Sequence, residues 1–186
     1  MIFVTVGSQM PFDRLIRTVD DWAGGRRALQ VFAQIADGDY VPDCMRWQRF
    51  ISPAEYRRRV FESELIIAHA GMGTVLTALE LGRPLLVMPR RGGLGETRND
   101  HQVATATRLA EAGYASVAMN EDELIRQLAS LDKLTAPSVI PSHASVELLS
   151  AVRSYLSDGT QPSRVSDVTN HPFPPVQKEL AHAKAA

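Results

Sequence analysis

The residues with the most chemical promise are His69-Ala70-Gly71-Met72-Gly73-Thr74, a glycine-rich turn that follows the apolar run Leu65-Ile66-Ile67-Ala68. Gly71 and Gly73 let a ligand approach the backbone closely, and Thr74 adds a hydroxyl. If a helix starts here, its first amides, near Gly73 and Thr74, have no intrahelical partner and sit at the positive end of the helix dipole. A phosphate is the natural occupant of such a corner, and the plain alternative is a tight turn with no ligand. A second cluster, Arg90-Arg91-Gly92-Gly93-Leu94-Gly95-Glu96-Thr97-Arg98-Asn99-Asp100, is polar and glycine-rich and follows another apolar run. The guanidinium groups of Arg90, Arg91 and Arg98 suit a carboxylate or a phosphate, which they can hold bidentately. Two common phosphate loops are absent: Leu76 stands where GxGxxG needs its third glycine, and no Gly-Lys-Ser or Gly-Lys-Thr occurs.

To position that turn, the chain needs a strand before it and a helix after it. Leu65 to Ala68 is long enough for a buried strand and too short for a helix. Val75, Leu76, Leu79 and Leu81 repeat at near-helical spacing and stop at Gly82 and Pro84; Leu85-Leu86-Val87-Met88 then forms a second strand closed by Pro89. Strand, turn, helix, strand is a βαβ unit, so the sheet is parallel and the turn lies at the carboxyl end of its strand, where open α/β sheets bind ligands. Ile2 to Val6 reads as the central first strand, and Gly7-Ser8-Gln9 as the loop after it, which is either a second phosphate contact or an ordinary turn. Phe12, Leu15, Ile16 and Val19 give a helix ending at Gly24-Gly25, Leu29 to Ile35 a second strand, and Trp47 to Ile51 a third. Ser52-Pro53 opens a helix with Ser52 as N-cap. Arg57-Arg58-Arg59 on that helix reads as a solvated face, or as a contact for an acidic partner or lipid headgroups. His101 to Gly113 is a helix that Asp100 could cap, and Ala115 to Met119 is a last strand. Asn120 caps a helix with Glu123 three residues on, and Ala144 to Leu156 is a terminal helix. The expected architecture is α/β: a Rossmann-like parallel sheet flanked by helices over residues 1–157, with a proline-containing extended tail over 158–186.

Taken together, His69-Ala70-Gly71-x-Gly73-Thr74, Gly82-Arg83-Pro84 before a strand, and His101-Gln102 opening the next helix resemble the donor-binding half of family 28 glycosyltransferases. The opening Ile2-Phe3-Val4-Thr5-Val6-Gly7-Ser8, with Phe12-Asp13-Arg14-Leu15-Ile16, is similar to its small soluble subunits of two-part enzymes. These subunits add the second N-acetylglucosamine to the dolichol-linked precursor or serve bacterial exopolysaccharide assembly. The resemblance covers roughly residues 1–157. It implies a single donor-binding half of a GT-B glycosyltransferase, inverting and UDP-sugar-dependent, extending a lipid-linked glycan for exopolysaccharide. It implies that Gly7, Ser8, Gln9, His69, Ala70, Gly71, Met72, Gly73 and Thr74 surround the donor diphosphate. Gln102, and with it His101, would hydrogen-bond the sugar hydroxyls, the alternative being a helix start that faces water. Related enzymes place a ribose-binding Glu about four residues after the turn. Here that position is Thr77, with Glu80 one turn further on as a substitute.

In this family arrangement the acceptor face belongs to the other half, which this chain does not contain. The general base is therefore expected on a separate, membrane-anchored acceptor-binding subunit, and His69 reads as a structural or donor-contacting residue before it reads as a base. Arg90, Arg91 and Arg98 would favour a uronic acid donor such as glucuronate; their rivals are a lipid-linked diphosphate acceptor and salt bridges to the partner. Aligned amides at the leaving diphosphate need no divalent metal, no DxD pair occurs, and no cofactor is expected beyond the UDP-sugar substrate. The formal net charge of −1 carries no nucleic-acid footprint. Cys44 is the single cysteine, which excludes an intrachain disulfide and fits a reducing compartment. The apolar start has no basic region before it and is interrupted at Gln9 and Asp13, so it reads as a strand rather than a signal peptide, and no apolar run reaches the roughly 20 residues of a membrane span. The expected location is the cytoplasm, peripheral to the membrane through the partner, with homo-oligomers conceivable for the isolated chain. Two rival classes share the architecture: a non-catalytic nucleotide-sugar-binding regulatory module, and a UDP-sugar 2-epimerase, which needs both halves and more carboxylates in its cleft.

Overall fold

The computed structural model describes residues 1–158 apart from 27, 132, 133, 135, 138 and 140–143, and the tail expected over 158–186 lies outside the described residues from 159 on. One compact unit spans residues 1–142, and a second begins at 143. In the first, β1 (Ile2–Thr5), α1 (Asp13–Ala23), β2 (Val31–Gln34), β3 (Arg46–Gln48), α2 (Pro53–Glu62), β4 (Leu65–His69), α3 (Met72–Glu80), β5 (Leu85–Met88), α4 (His101–Glu111), β6 (Ser116–Val117) and α5 (Glu121–Leu128) follow in order. All strand pairs are parallel, in the spatial order β3-β2-β1-β4-β5-β6. The chain steps outward one way from β1 to β2 and β3, and the other way from β4 to β5 and β6. The gap between β1 and β4 is therefore the switch point at which α/β sheets form a ligand crevice.

Burial follows from the strand period of two. Ile2, Val4 and Val6 point to one face with Ile67, Leu86 and Met88, under α1 (Leu15, Ile16, Val19) and α5 (Leu124, Leu128). Phe3, Ile66, Ala68 and Val87 point to the other, under Val60 of α2, Val75 and Leu79 of α3, and Ala106 and Leu109 of α4. β1, β2 and β5 are buried along their whole length and β4 up to Ala68, as strands covered on both faces must be; His69, at the end of β4, is half-buried.

The ends differ from the sequence expectation where backbone geometry intervenes. The second strand stops at Gln34 because the chain turns at Ala36, which holds a left-handed φ of 52°. β3 ends at Gln48 as Arg49 to Ile51 leave the sheet toward Ser52, whose hydroxyl accepts from the Glu55 N–H at 3.2 Å. The last strand shortens to Ser116–Val117. Asp100 does not cap α4 with its side chain: its Oδ1 accepts from Gly92 N–H at 2.7 Å, and Asn99 Oδ1 takes the His101 N–H at 3.2 Å. On α2, Arg58 and Arg59 pair with Glu55, and Arg59 also lies 3.7 Å over the Phe32 ring. In the second unit, α6 (Val146–Asp158) starts two residues later than expected, with the Ser145 hydroxyl accepting from Leu148 N–H at 3.2 Å. Among the described residues no helix is long and apolar enough to cross a membrane.

Candidate functional site

A cleft of about 730 Å³ opens along the carboxyl edge of the sheet at the switch point. Its floor is the turn between β4 and α3. Gly71 is the N-cap of α3, and the N–H groups of Thr74 and Val75 both return to Gly71 O at 3.1 Å, which leaves Met72 and Gly73 at the open, positive end of the helix. A Cβ on Gly73 would meet nothing within 4 Å, so this side of the turn is clear for a ligand. A Cβ on Gly71 would lie 2.1 Å from His69 Nε2, and one on Gly7 would lie 2.9 Å from His69 Cε1. The His69 ring therefore fills the space between the β1 loop and the α3 turn, and glycine is required on both sides of it; Gly7 in addition holds a φ of +78°.

His69 is a poor base here. Burial, and then the neighbouring Arg90 charge, lower its pKa to about 4, with the Thr5 backbone pulling weakly the other way, and its buried Nδ1 meets no partner at hydrogen-bonding geometry. Arg90 is itself buried, 4% exposed. Its Nη2 donates to Val6 O at 2.8 Å and to Met10 O, clasping the loop that carries Gly7, Ser8 and Gln9, and burial lowers its pKa to about 10, which leaves it charged at neutral pH. The Arg90 backbone N–H donates to Gln102 Oε1 at 3.1 Å. That bond takes one lone pair of the Gln102 amide oxygen and orients the side chain, leaving its NH₂ and the second lone pair for the cleft. The Thr74 hydroxyl accepts from Tyr56 Oη at 3.0 Å. Thr77 donates its hydrogen back to Gly73 O at 2.8 Å.

Of the residues picked from the sequence, Gly7, Ser8, Gln9, His69, Gly71, Met72, Gly73, Thr74, Thr77, Arg90, His101 and Gln102 line this one cleft. Four do not. Ala70 packs into the core. Glu80 lies off the cleft, 3.9 Å from Arg57 on α2, so it does not take over the ribose contact. Arg91 turns toward β6 and donates to Met119 O at 2.7 Å. Arg98 is exposed outside the lining. The three arginines therefore do not converge on one anion, and the case for a uronic acid donor built on them loses its geometry. The lining also includes Met10, Gln34, Ile51, Pro53, Tyr56 and Thr97, which were missed. Tyr56 and Gln34 carry no motif; only their places on α2 and at the end of β2 bring them in. Thr97 arrives because Glu96 folds its loop, accepting from Arg14 Nε at 2.6 Å and from Arg91 N–H at 2.9 Å.

Among the described residues the lining contains no aspartate or glutamate. Its polar groups include backbone amides, hydroxyls, the side-chain amides of Gln9, Gln34 and Gln102, imidazoles and one buried guanidinium, and the amides with the guanidinium suit a ligand that carries acceptor oxygens and negative charge.

Comparison with known proteins agrees with this geometry. A UDP-N-acetylglucosamine transferase subunit ALG13 of Cryptococcus neoformans var. neoformans serotype D is 36% identical over 94 residues, 46% of this chain and 44% of that protein. The human protein of the same name is 32% identical over 123 residues, 61% of this chain and 10% of its own length. This chain thus spans less than half the length of these relatives. An NMR structure of ALG13, 23% identical, covers 76% of this chain and 90% of that one with a TM-score of 0.54, a likeness of fold. The β1 loop, the β4–α3 turn and the start of α4 all fall within residues 1–144, which match the glycosyltransferase family 28 C-terminal domain, and the chain belongs to that family.

Proposed function

We propose that the chain is the donor-binding and catalytic subunit of an inverting, UDP-sugar-dependent glycosyltransferase, working with a membrane-anchored acceptor-binding subunit at the cytoplasmic face to extend a lipid-linked glycan in exopolysaccharide biosynthesis. The observation that carries the reading is the cleft at the open end of α3, where the Met72 and Gly73 amides and the buried Arg90 guanidinium come together. As the glycosidic bond breaks, charge grows on the departing diphosphate, and fixed N–H groups aimed there stabilise the transition state more than the ground state. These groups do the work a divalent cation would otherwise do, so transfer should proceed in the presence of EDTA. Among the described lining residues there is no carboxylate, and His69 protonates only near pH 4; both support a base supplied by the partner, with His101 the other imidazole of the lining.

The same absence favours one second reading, a nucleotide-sugar-binding module without catalysis. Isothermal titration of the purified chain with UDP, followed by a panel of UDP-, GDP- and dTDP-sugars, tests the common premise and finds the sugar. Transfer assays with and without the membrane subunit divide the two readings: product only in the combined reaction supports the transferase, and binding with no product in either supports the module. No UDP binding at all removes both.

A further inference from the structure

Gln34 closes β2, in register with Thr5 at the end of β1. It is 4% exposed and lines the cleft. A buried primary amide has one acceptor and two donor hydrogens to satisfy. Its acceptor is fixed: Thr5 Oγ1 donates to Gln34 Oε1 at 2.9 Å, and Thr5 Oγ1 in turn accepts from Gly7 N–H at 3.1 Å. Gly7 N–H can only donate, so the Thr5 hydroxyl hydrogen points on to Gln34. The relay leaves the Gln34 NH₂ without a partner among the described residues. Gln102 repeats the pattern on the β5 side, its oxygen held by Arg90 N–H.

We propose that Gln34 is a ligand-binding residue of this cleft, its NH₂ donating to an acceptor oxygen of a bound nucleoside diphosphate. The proposal rests on the function proposed above. β2 lies two strands from β4. At the usual strand spacing, that places Gln34 about 10 Å along the sheet edge from the strand that feeds the α3 turn. A diphosphate held at that turn by one end would meet Gln34 with its other phosphate or with its nucleoside, and both carry acceptor oxygens.

The test is calorimetric binding of UDP and of uridine to the wild-type chain and to Gln34→Glu, Gln34→Met and Thr5→Val, with folding checked by circular dichroism. Glu has the shape of Gln and can still accept from Thr5, so Gln34→Glu keeps the relay and replaces only the donor, with an acceptor bearing charge. UDP affinity should fall at least thirtyfold in Gln34→Glu, about tenfold in Gln34→Met, and a few-fold in Thr5→Val, whose amide is free to turn. Uridine binding that falls in parallel places the acceptor on the nucleoside, and uridine binding that stays unchanged places it on a phosphate; both support the proposal. UDP affinity within twofold of wild type in Gln34→Glu or in Gln34→Met overturns the proposal and leaves the proposed function standing, whereas a wild-type chain that binds no UDP overturns both.

Discussion

At the scale of single residues, the cleft is built around an imidazole that works as a spacer. His69 sits between Gly7 and Gly71, and the gap it fills sets how far apart the two candidate phosphate loops stand. Gly71→Ala would bring a methyl to 2.1 Å from Nε2, so the ring or the turn must move; UDP affinity by titration should drop at least tenfold while the far-ultraviolet spectrum stays that of the wild type. The ring also leaves a pH signature. Its folded pKa of about 4 lies below the ordinary 6.5, so below pH 6.5 the unfolded chain takes up a proton that the folded chain refuses. His69 therefore supports the fold fully above pH 6.5 and loses that support as pH falls toward 4, by up to about 3 kcal/mol. Urea titrations should show this slope in the wild type and a shallower one in His69→Gln. The glycines and the histidine were legible in the sequence because they sit together. Their mutual geometry was not, since nothing in the spacing says that Gly7, sixty-two positions upstream, touches the same ring.

At the scale of elements, apolar runs and stop signals carried most of the fold. Leu65 to Ala68 and Leu85 to Met88 are strands as their composition demands, and Asn120 with Glu123 caps α5, the N–H of Glu123 reaching Asn120 Oδ1 at 2.9 Å. Residues 40–52 were harder to read because their order comes from a distant carboxylate. Asp20, buried on α1, accepts from Tyr40 Oη, Asp43 N–H and Cys44 N–H at 2.8–2.9 Å and fixes the segment leading into β3. The loop after β5 is likewise organised from outside itself. Arg14 of α1 binds Glu96 in two places, at 2.6 and 2.8 Å, and reaches Glu121 of α5 at 3.0 Å. The side chains of Arg14 and Glu96 are only 14% and 13% exposed, so removing Glu96 leaves a poorly solvated guanidinium with Glu121 and Pro89 O as its remaining partners. Glu96→Ala should cost about 2 kcal/mol in urea unfolding, since Arg14 keeps Glu121, and loosen UDP binding as Thr97 shifts. A fall below about 1 kcal/mol would mark the pair as a surface contact. Long-range ties of this kind leave no period and no motif, which is why the arginines nearby read as ligand contacts when only Arg90 lines the cleft.

At the scale of the molecule, every residue of the cleft lies inside the unit spanning residues 1–142. A chain ended at 142 should bind UDP with the affinity of the whole, within about twofold, when the two are titrated side by side. A larger loss would give the second unit a part in donor binding. The make-up of the cleft also has a bearing on waste. The described residues of the lining include no carboxylate to pull a proton from a stray water, and His69 is too weak a base to do so readily. Under the proposed function, such a lining would slow the idle hydrolysis of an activated sugar in the interval before the recipient glycan docks.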